Sequence, residues 1–199
     1  MRKRLLYKPI NISPIVRYYA SPGIASGARS KLQTEEYAKA RETIPVWCLD
    51  GLVCAKDAKD RPVVVLVVRR DKDPSDGPFR NEAWVVGGRW DMVTPWEQFI
   101  REKAAKELFG GRRPKMEVKG PIGAQLFATG WGRNTDGPFG RQGVTLQFCY
   151  QLILKGRLSP NQLRPDGRHS GIRIFGRGDS LSGLHPYIRD VVQMSGWLA

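Results

Sequence analysis

Residues 84–110, WVVGGRWDMVTPWEQFIREKAAKELFG, decide the fold. The stretch reads as a strand, a glycine-led loop and a helix. Ala83-Trp84-Val85-Val86 is a β-rich run that ends at Gly87-Gly88, where the backbone can turn tightly and approach a ligand. Thr94-Pro95-Trp96-Glu97 has the spacing of a capping box with proline at the first helical position. Such a cap contributes roughly 1 kcal/mol. The helix is expected to run to about Leu108 and to stop at Gly110-Gly111 in a left-handed terminus. Trp96, Phe99, Ile100, Ala104 and Leu108 form an apolar stripe for burial against a sheet. Glu97 with Arg101, Glu102 with Lys106, and Lys103 with Glu107 are spaced as i,i+4 ion pairs.

The same spacing sets Glu107 one helix length from the Gly87 and Gly88 carbonyls, so carboxylate and carbonyl can share one hard cation. Mg²⁺, or Mn²⁺, suits oxygen ligands of this kind. Arg89 follows directly and can offer a guanidinium fork to a phosphate. Lys103 and Lys106 stand where such a site would hold further acid. They leave a second outcome open, in which a lysine beside Glu107 occupies the place of the cation. A plain strand-turn-helix with a surface glutamate is the third.

The segment resembles the Nudix box, whose pattern is Gly-x5-Glu-x7-Arg-Glu-x-x-Glu-Glu-x-Gly. With Gly88 as the first glycine, the early glutamate falls on Thr94. The Arg-Glu pair falls on Glu102-Lys103, the later Glu-Glu on Lys106-Glu107, and the last glycine on Phe109, one residue before Gly110. The flanks resemble the GDP-mannose mannosyl hydrolase branch of that superfamily, which itself departs from the full box. Thr43-Ile44-Pro45-Val46-Trp47-Cys48-Leu49-Asp50, the apolar run 63–68 ending in Arg69-Arg70, Pro74-Ser75-Asp76-Gly77 and Gly87-Gly88-Arg89 all have counterparts there. So do Lys106-Glu107-Leu108-Phe109-Gly110, Asp166-Gly167-Arg168-His169 before Ile172-Arg173-Ile174-Phe175, and His185-Pro186.

The resemblance implies an α/β fold, a Nudix-like α/β/α sandwich around a mixed β-sheet, carrying a basic N-terminal extension. It implies that Glu107 binds the metal with the carbonyl of Gly88 or Gly87. It implies that Arg70 and Arg89 stabilise a departing diphosphate, with Arg69 close by, and that Asp50 assists the reaction. The branch's catalytic histidine would fall near Val144, where this chain has none. Its two histidines are His169, read as a loop residue, and His185, read as a helix start.

Composition bounds the rest. At 199 residues the chain can hold one domain with a full core, expected over 43–199, preceded by a basic arm with a short helix over 1–42. No apolar run is long enough to span a membrane. Three cysteines without metal spacing argue against a disulfide framework and fit a reducing compartment, cytoplasmic or an organellar matrix. There is no Walker A loop and no dinucleotide fingerprint. Thirty-three Lys and Arg against nineteen Asp and Glu give a net charge of +14. The first acid is Glu35, so the segment before it is basic and suits RNA or another anionic partner. A homodimer is left open.

Residues 130–141 interleave aromatics and arginines in a long loop. Trp131 or Phe139 can stack on a base, with Arg133 or Arg141 on a phosphate. Further strands are expected near 46–55, 63–69, 121–128, 145–154 and 171–175, with helices near 34–41 and 186–194. Two functions follow as expectations. One is a divalent-metal-dependent hydrolase of a nucleoside diphosphate-linked small molecule, a nucleotide sugar above all. The other is a Nudix-fold module with little catalysis that binds RNA or a nucleotide.

Overall fold

The structure, a computed structural model, describes residues 46–69, 82–128 and 144–199. The basic arm, the helix expected near 34–41, Arg70 and the loop with Trp131, Arg133, Phe139 and Arg141 lie outside the described residues.

Among the described residues, seven strands form one mixed sheet: β1 (Val46–Lys56), β2 (Pro62–Arg69), β3 (Ala83–Trp84), β4 (Val86–Arg89), β5 (Met116–Ala128), β6 (Val144–Arg157) and β7 (His169–Gly176). Helix α1 (Trp96–Leu108) follows β4, and α2 (Pro186–Met194) follows β7. β1 lies parallel to β6, which pairs antiparallel with β5. The other edge of β1 is divided. Residues 48–51 pair with β4, whereas residues 53–56 pair with β2. β3 pairs with the end of β2, and β7 covers the far edge of β2. Residues 83–89 therefore fill the fork where β1 and β2 part, which delivers Gly87 to the middle of β1.

Adjacent residues of β1 show which helix covers which face. A Cβ on Gly51 would lie 2.5 Å from Leu152 Cδ1 and 2.9 Å from Ile100 Cγ2, so α1 presses on that face. Asp50, one residue earlier, points the other way and meets Tyr187 of α2. The two helices sit on opposite faces, giving the expected α/β/α sandwich. Val63, Val64, Val65, Leu66 and Val67 are buried on both faces, as a continuous apolar run requires. Each such side chain contributes about 1.5–3 kcal/mol on burial. Cys48, Cys54 and Cys149 are buried thiols. Among the described residues, no helix is long and apolar enough to cross a membrane.

The start of α1 differs from the capping-box expectation. Pro95 is the N-cap, and no side chain caps the helix. Asp91 has taken the threonine. Its Oδ2 accepts from the Thr94 hydroxyl at 3.0 Å, and its Oδ1 accepts from the amides of Val93 at 3.0 Å and Thr94 at 2.8 Å. A charged carboxylate three residues back outcompetes a helix amide for that hydroxyl. Glu102 also departs from its expected partner Lys106. It meets Gln98 at 3.0 Å and Arg113 at 3.3 Å. The far end behaves as expected: Gly110 and Gly111 have φ of 60° and 85°, and the Gly111 amide donates to Ala105 O at 2.8 Å.

Candidate active site at the Gly87 turn

Gly87 sits opposite Asp50 in the β1–β4 ladder, with φ of 148°. A Cβ there would come within 2.4 Å of Leu49 O, 2.5 Å of Asp50 Oδ1 and 2.7 Å of Asp50 Cα. Only glycine fits, and the missing side chain lets two acids approach the same peptide from different elements. The Gly87 amide donates to Glu107 Oε2 at 3.1 Å. Asp50 lies behind the turn, 2 % exposed.

Glu107 is the last acid of α1. Burial pushes its carboxyl up, while the Lys103 charge, the Gly87 amide and His169 pull it back. Lys103 Nζ stands 3.6 Å from Glu107 Oε1, the i,i+4 pair the sequence spacing predicts. The same ammonium lies 3.5 Å from the point a Gly88 Cβ would occupy. Lys106 is exposed and turned away from this cluster.

Asp50 accepts from neutral donors. Its Oδ2 accepts from the Tyr187 hydroxyl at 2.9 Å and from Gln147 Nε2. Burial raises its carboxyl from 3.8 to about 7, against the pull of Tyr187, Arg69 and Gln147. The Arg69 guanidinium lies 5.7 Å from the Trp84 ring centroid, and its charge acts on Asp50. Trp84 is packed between His185, at 5.2 Å, and Tyr187, at 5.5 Å. Arg89 is at the exposed end of β4.

His169 is the main correction to the sequence reading. It is not a loop residue. It opens β7, pairs with Arg69 across the ladder, and is 8 % exposed. Its Nδ1 lies 2.7 Å from Asp166 Oδ1, and its amide donates to Asp166 O at 3.1 Å. Asp166 Oδ1 also accepts from the Arg168 amide at 3.0 Å, closing the turn. The Arg164 amide donates to Leu108 O at 2.7 Å, and the Gly110 amide donates to Arg164 O at 3.1 Å. These two bonds tie the turn to the end of α1, close enough for His169 and Asp166 both to act on Glu107. Gln147 and Tyr187 escaped the sequence reading, and Asp166 entered it only as part of the Asp166-Gly167-Arg168-His169 segment. Gln147 left one trace there, a polar residue within the apolar alternation of β6. His185 is the N-cap of α2, as expected, and accepts from the Tyr187 amide at 3.2 Å.

The described donors fit a resident divalent cation poorly. No group of three His, Cys, Asp or Glu side chains that could hold a metal ion occurs among the described residues. One Glu107 oxygen accepts an amide hydrogen and the other faces an ammonium. What Gly87 turns toward Glu107 is its N–H, not the carbonyl expected to share a metal. Lys103 can instead present positive charge to an anion, beside a histidine with an acid behind it.

Neither a family model nor a curated protein matches the chain. Solved structures do match. The chain is similar to the NUDIX domain of Shewanella oneidensis NrtR, solved in complex with ADP ribose, at a TM-score of 0.54 and 16 % identity, over 77 % of this chain and 87 % of that one. It is similar to the MutT protein of Methanosarcina mazei at a TM-score of 0.52 and 11 % identity, over 77 % and 96 %. It is also similar to a bifunctional NMN adenylyltransferase/ADP ribose pyrophosphatase of Francisella tularensis, at 0.51 and 11 %, over 79 % of this chain but only 42 % of that longer protein. At such identities it is the architecture that is shared, and the chain has the Nudix fold.

Proposed function

We propose that the protein hydrolyses a nucleoside diphosphate-linked small molecule, with a nucleotide sugar as the preferred class. The observation that carries this reading is the buried Asp166–His169 pair set beside Glu107 at the Gly87 turn. The bond to Asp166 favours the tautomer with its proton on Nδ1, which puts the lone pair on Nε2. In the reaction, Nε2 takes a proton from water as the water oxygen bonds to the attacked centre. The bond from that centre to the bridging oxygen breaks, and the diphosphate leaves with the electron pair. Arg69, Arg89 and Lys103 offset the charge that grows on it.

Attack at the sugar carbon releases an intact nucleoside diphosphate. Attack at phosphorus releases a nucleotide and a sugar phosphate. Arg70 joins the diphosphate arginines in this proposal, and Trp131, Arg133, Phe139 and Arg141 hold the base and phosphates from their loop. Asp50 keeps the Gly87 turn in shape from behind and does not touch substrate. ADP ribose bound to one structural neighbour, and ADP ribose cleavage in the name of another, belong to those proteins and agree with the ligand class.

The second reading, a binding module for RNA or a nucleotide, is favoured by the poor metal donors and the +14 charge. A screen of GDP-, ADP- and UDP-sugars, with and without Mg²⁺ or Mn²⁺, separates the two. Arg89→Ala should lower kcat/KM by about one to three powers of ten, roughly 1.4–4 kcal/mol, mostly in kcat. Absent turnover with tight nucleotide or RNA binding would establish the module instead.

A further inference from the structure

We infer that the Lys103 ammonium takes the place of a divalent cation, so that this protein binds the diphosphate of its ligand without Mg²⁺ or Mn²⁺. The inference rests on the diphosphate reading of the Gly87 turn. The two groups expected to share a metal are Glu107 and the backbone at Gly87-Gly88. Lys103 Nζ lies beside both, 3.6 Å from Glu107 Oε1 and 3.5 Å from the point a Gly88 Cβ would occupy.

This is not an ordinary helix-surface pair. The two side chains are 27 % and 10 % exposed, whereas Glu97 and Arg101 one turn earlier are 53 % and 38 % exposed. The ammonium also packs 5.6 Å from the Phe99 ring centroid, which fixes its stem. Mg²⁺ held by few protein ligands needs at least one carboxylate left to it. Here the carboxylate of Glu107 is matched to an ammonium, and a dication entering beside that ammonium would meet repulsion. A lysine is a compact point charge that suits phosphate. Arg69 and Arg89 supply the further positive charge that a metal would otherwise bring.

The test uses the full chain and two probes, inorganic pyrophosphate and GDP, titrated calorimetrically in EDTA and again as their Mg²⁺ complexes. Mn²⁺ alone is followed by electron paramagnetic resonance. The inference expects equal or tighter binding in EDTA and no saturable Mn²⁺ site. Lys103→Met should weaken pyrophosphate by about ten- to a hundredfold, the loss of one charged hydrogen-bonding partner. Lys103→Arg should keep most of the affinity. Lys103→Glu, which sets a second carboxylate beside Glu107, should gain a Mn²⁺ site. If Lys103→Met fails to fold, the wild-type EDTA arm and Lys103→Arg still decide. Binding only with Mg²⁺, or a Mn²⁺ site in the wild type that Glu107→Gln removes, overturns the inference and leaves the diphosphate reading standing. No binding of either probe in any condition overturns both.

Discussion

Glu107 and Asp50 are both buried carboxylates, both reach the Gly87 peptide, and they are neutralised in opposite ways. Glu107, on the α1 face, has a cation, Lys103, and a backbone amide. Asp50, on the α2 face, accepts from the neutral donors Tyr187 and Gln147, with the Arg69 charge also acting on it. Burial raises both carboxyls. For Glu107 the facing ammonium, the Gly87 amide and His169 pull against that penalty, and the carboxyl stays raised. At Asp50 burial outweighs Tyr187, Arg69 and Gln147, and the carboxyl is left at about 7, able to carry a proton near neutral pH. The charged pair belongs to the side where an anion would dock, and the titratable acid belongs to the packed interior.

The most damaging substitution adds a side chain at the residue the two acids share. Gly87→Ala puts a methyl within 2.7 Å of backbone atoms of Leu49 and Asp50, at φ of 148°. It should cost about 3–5 kcal/mol, from backbone strain plus overpacking. Denaturant unfolding measures it, and a loss near 1 kcal/mol would mean the fork between β1 and β2 relaxes easily.

Asp50→Asn is expected to act through pH. The folded carboxyl at about 7 lies above the ordinary 3.8, so the folded state holds this proton more tightly. The stability it contributes is full below about 4 and is lost as pH rises through about 7. The wild type should therefore fall by a few kcal/mol at most across that window, about 1.4 kcal/mol per unit of pKa difference. Asp50→Asn should fall less across the same range. Thermal unfolding from pH 4 to 8 measures this, and equal slopes would show that Asp50 stays ionised when folded.

The fold was largely legible in the sequence, and the reasons are local. The buried run 63–67 and the glycines after α1 act through their own neighbours, and so does the apolar stripe of α1. That stripe buries as expected at Phe99, Ile100, Ala104 and Leu108. The candidate site was legible only in part. Spacing along one helix brings Glu107 and Lys103 together. His169 arrives through bonds between residue 164 and the end of α1, more than fifty residues apart in the chain, which no periodicity reveals. Asp166-Gly167-Arg168 looks like an ordinary turn because it is one, and the histidine it positions took on that appearance. Thr94 failed for the opposite reason. The capping pattern was present, but Asp91 competed for the same hydroxyl.

That competition yields the smallest expected effect. Asp91→Ala removes three bonds before α1 and should cost about 1 kcal/mol, while Thr94→Ala removes one exposed bond and should cost about 0.5 kcal/mol or less. The reverse order in unfolding experiments would restore Thr94 as the helix cap.

The decisive measurement is the kcat of His169→Asn on whichever nucleoside diphosphate sugar the wild type turns over. Asparagine keeps a polar side chain near Asp166 but cannot accept a proton from water. A positioned general base contributes about 10²–10⁴-fold. His169→Asn should therefore lose about two to four powers of ten in kcat, with KM and the unfolding midpoint little changed. An unchanged kcat, or a loss that appears only together with a loss of fold, would contradict a hydrolytic centre at the Gly87 turn.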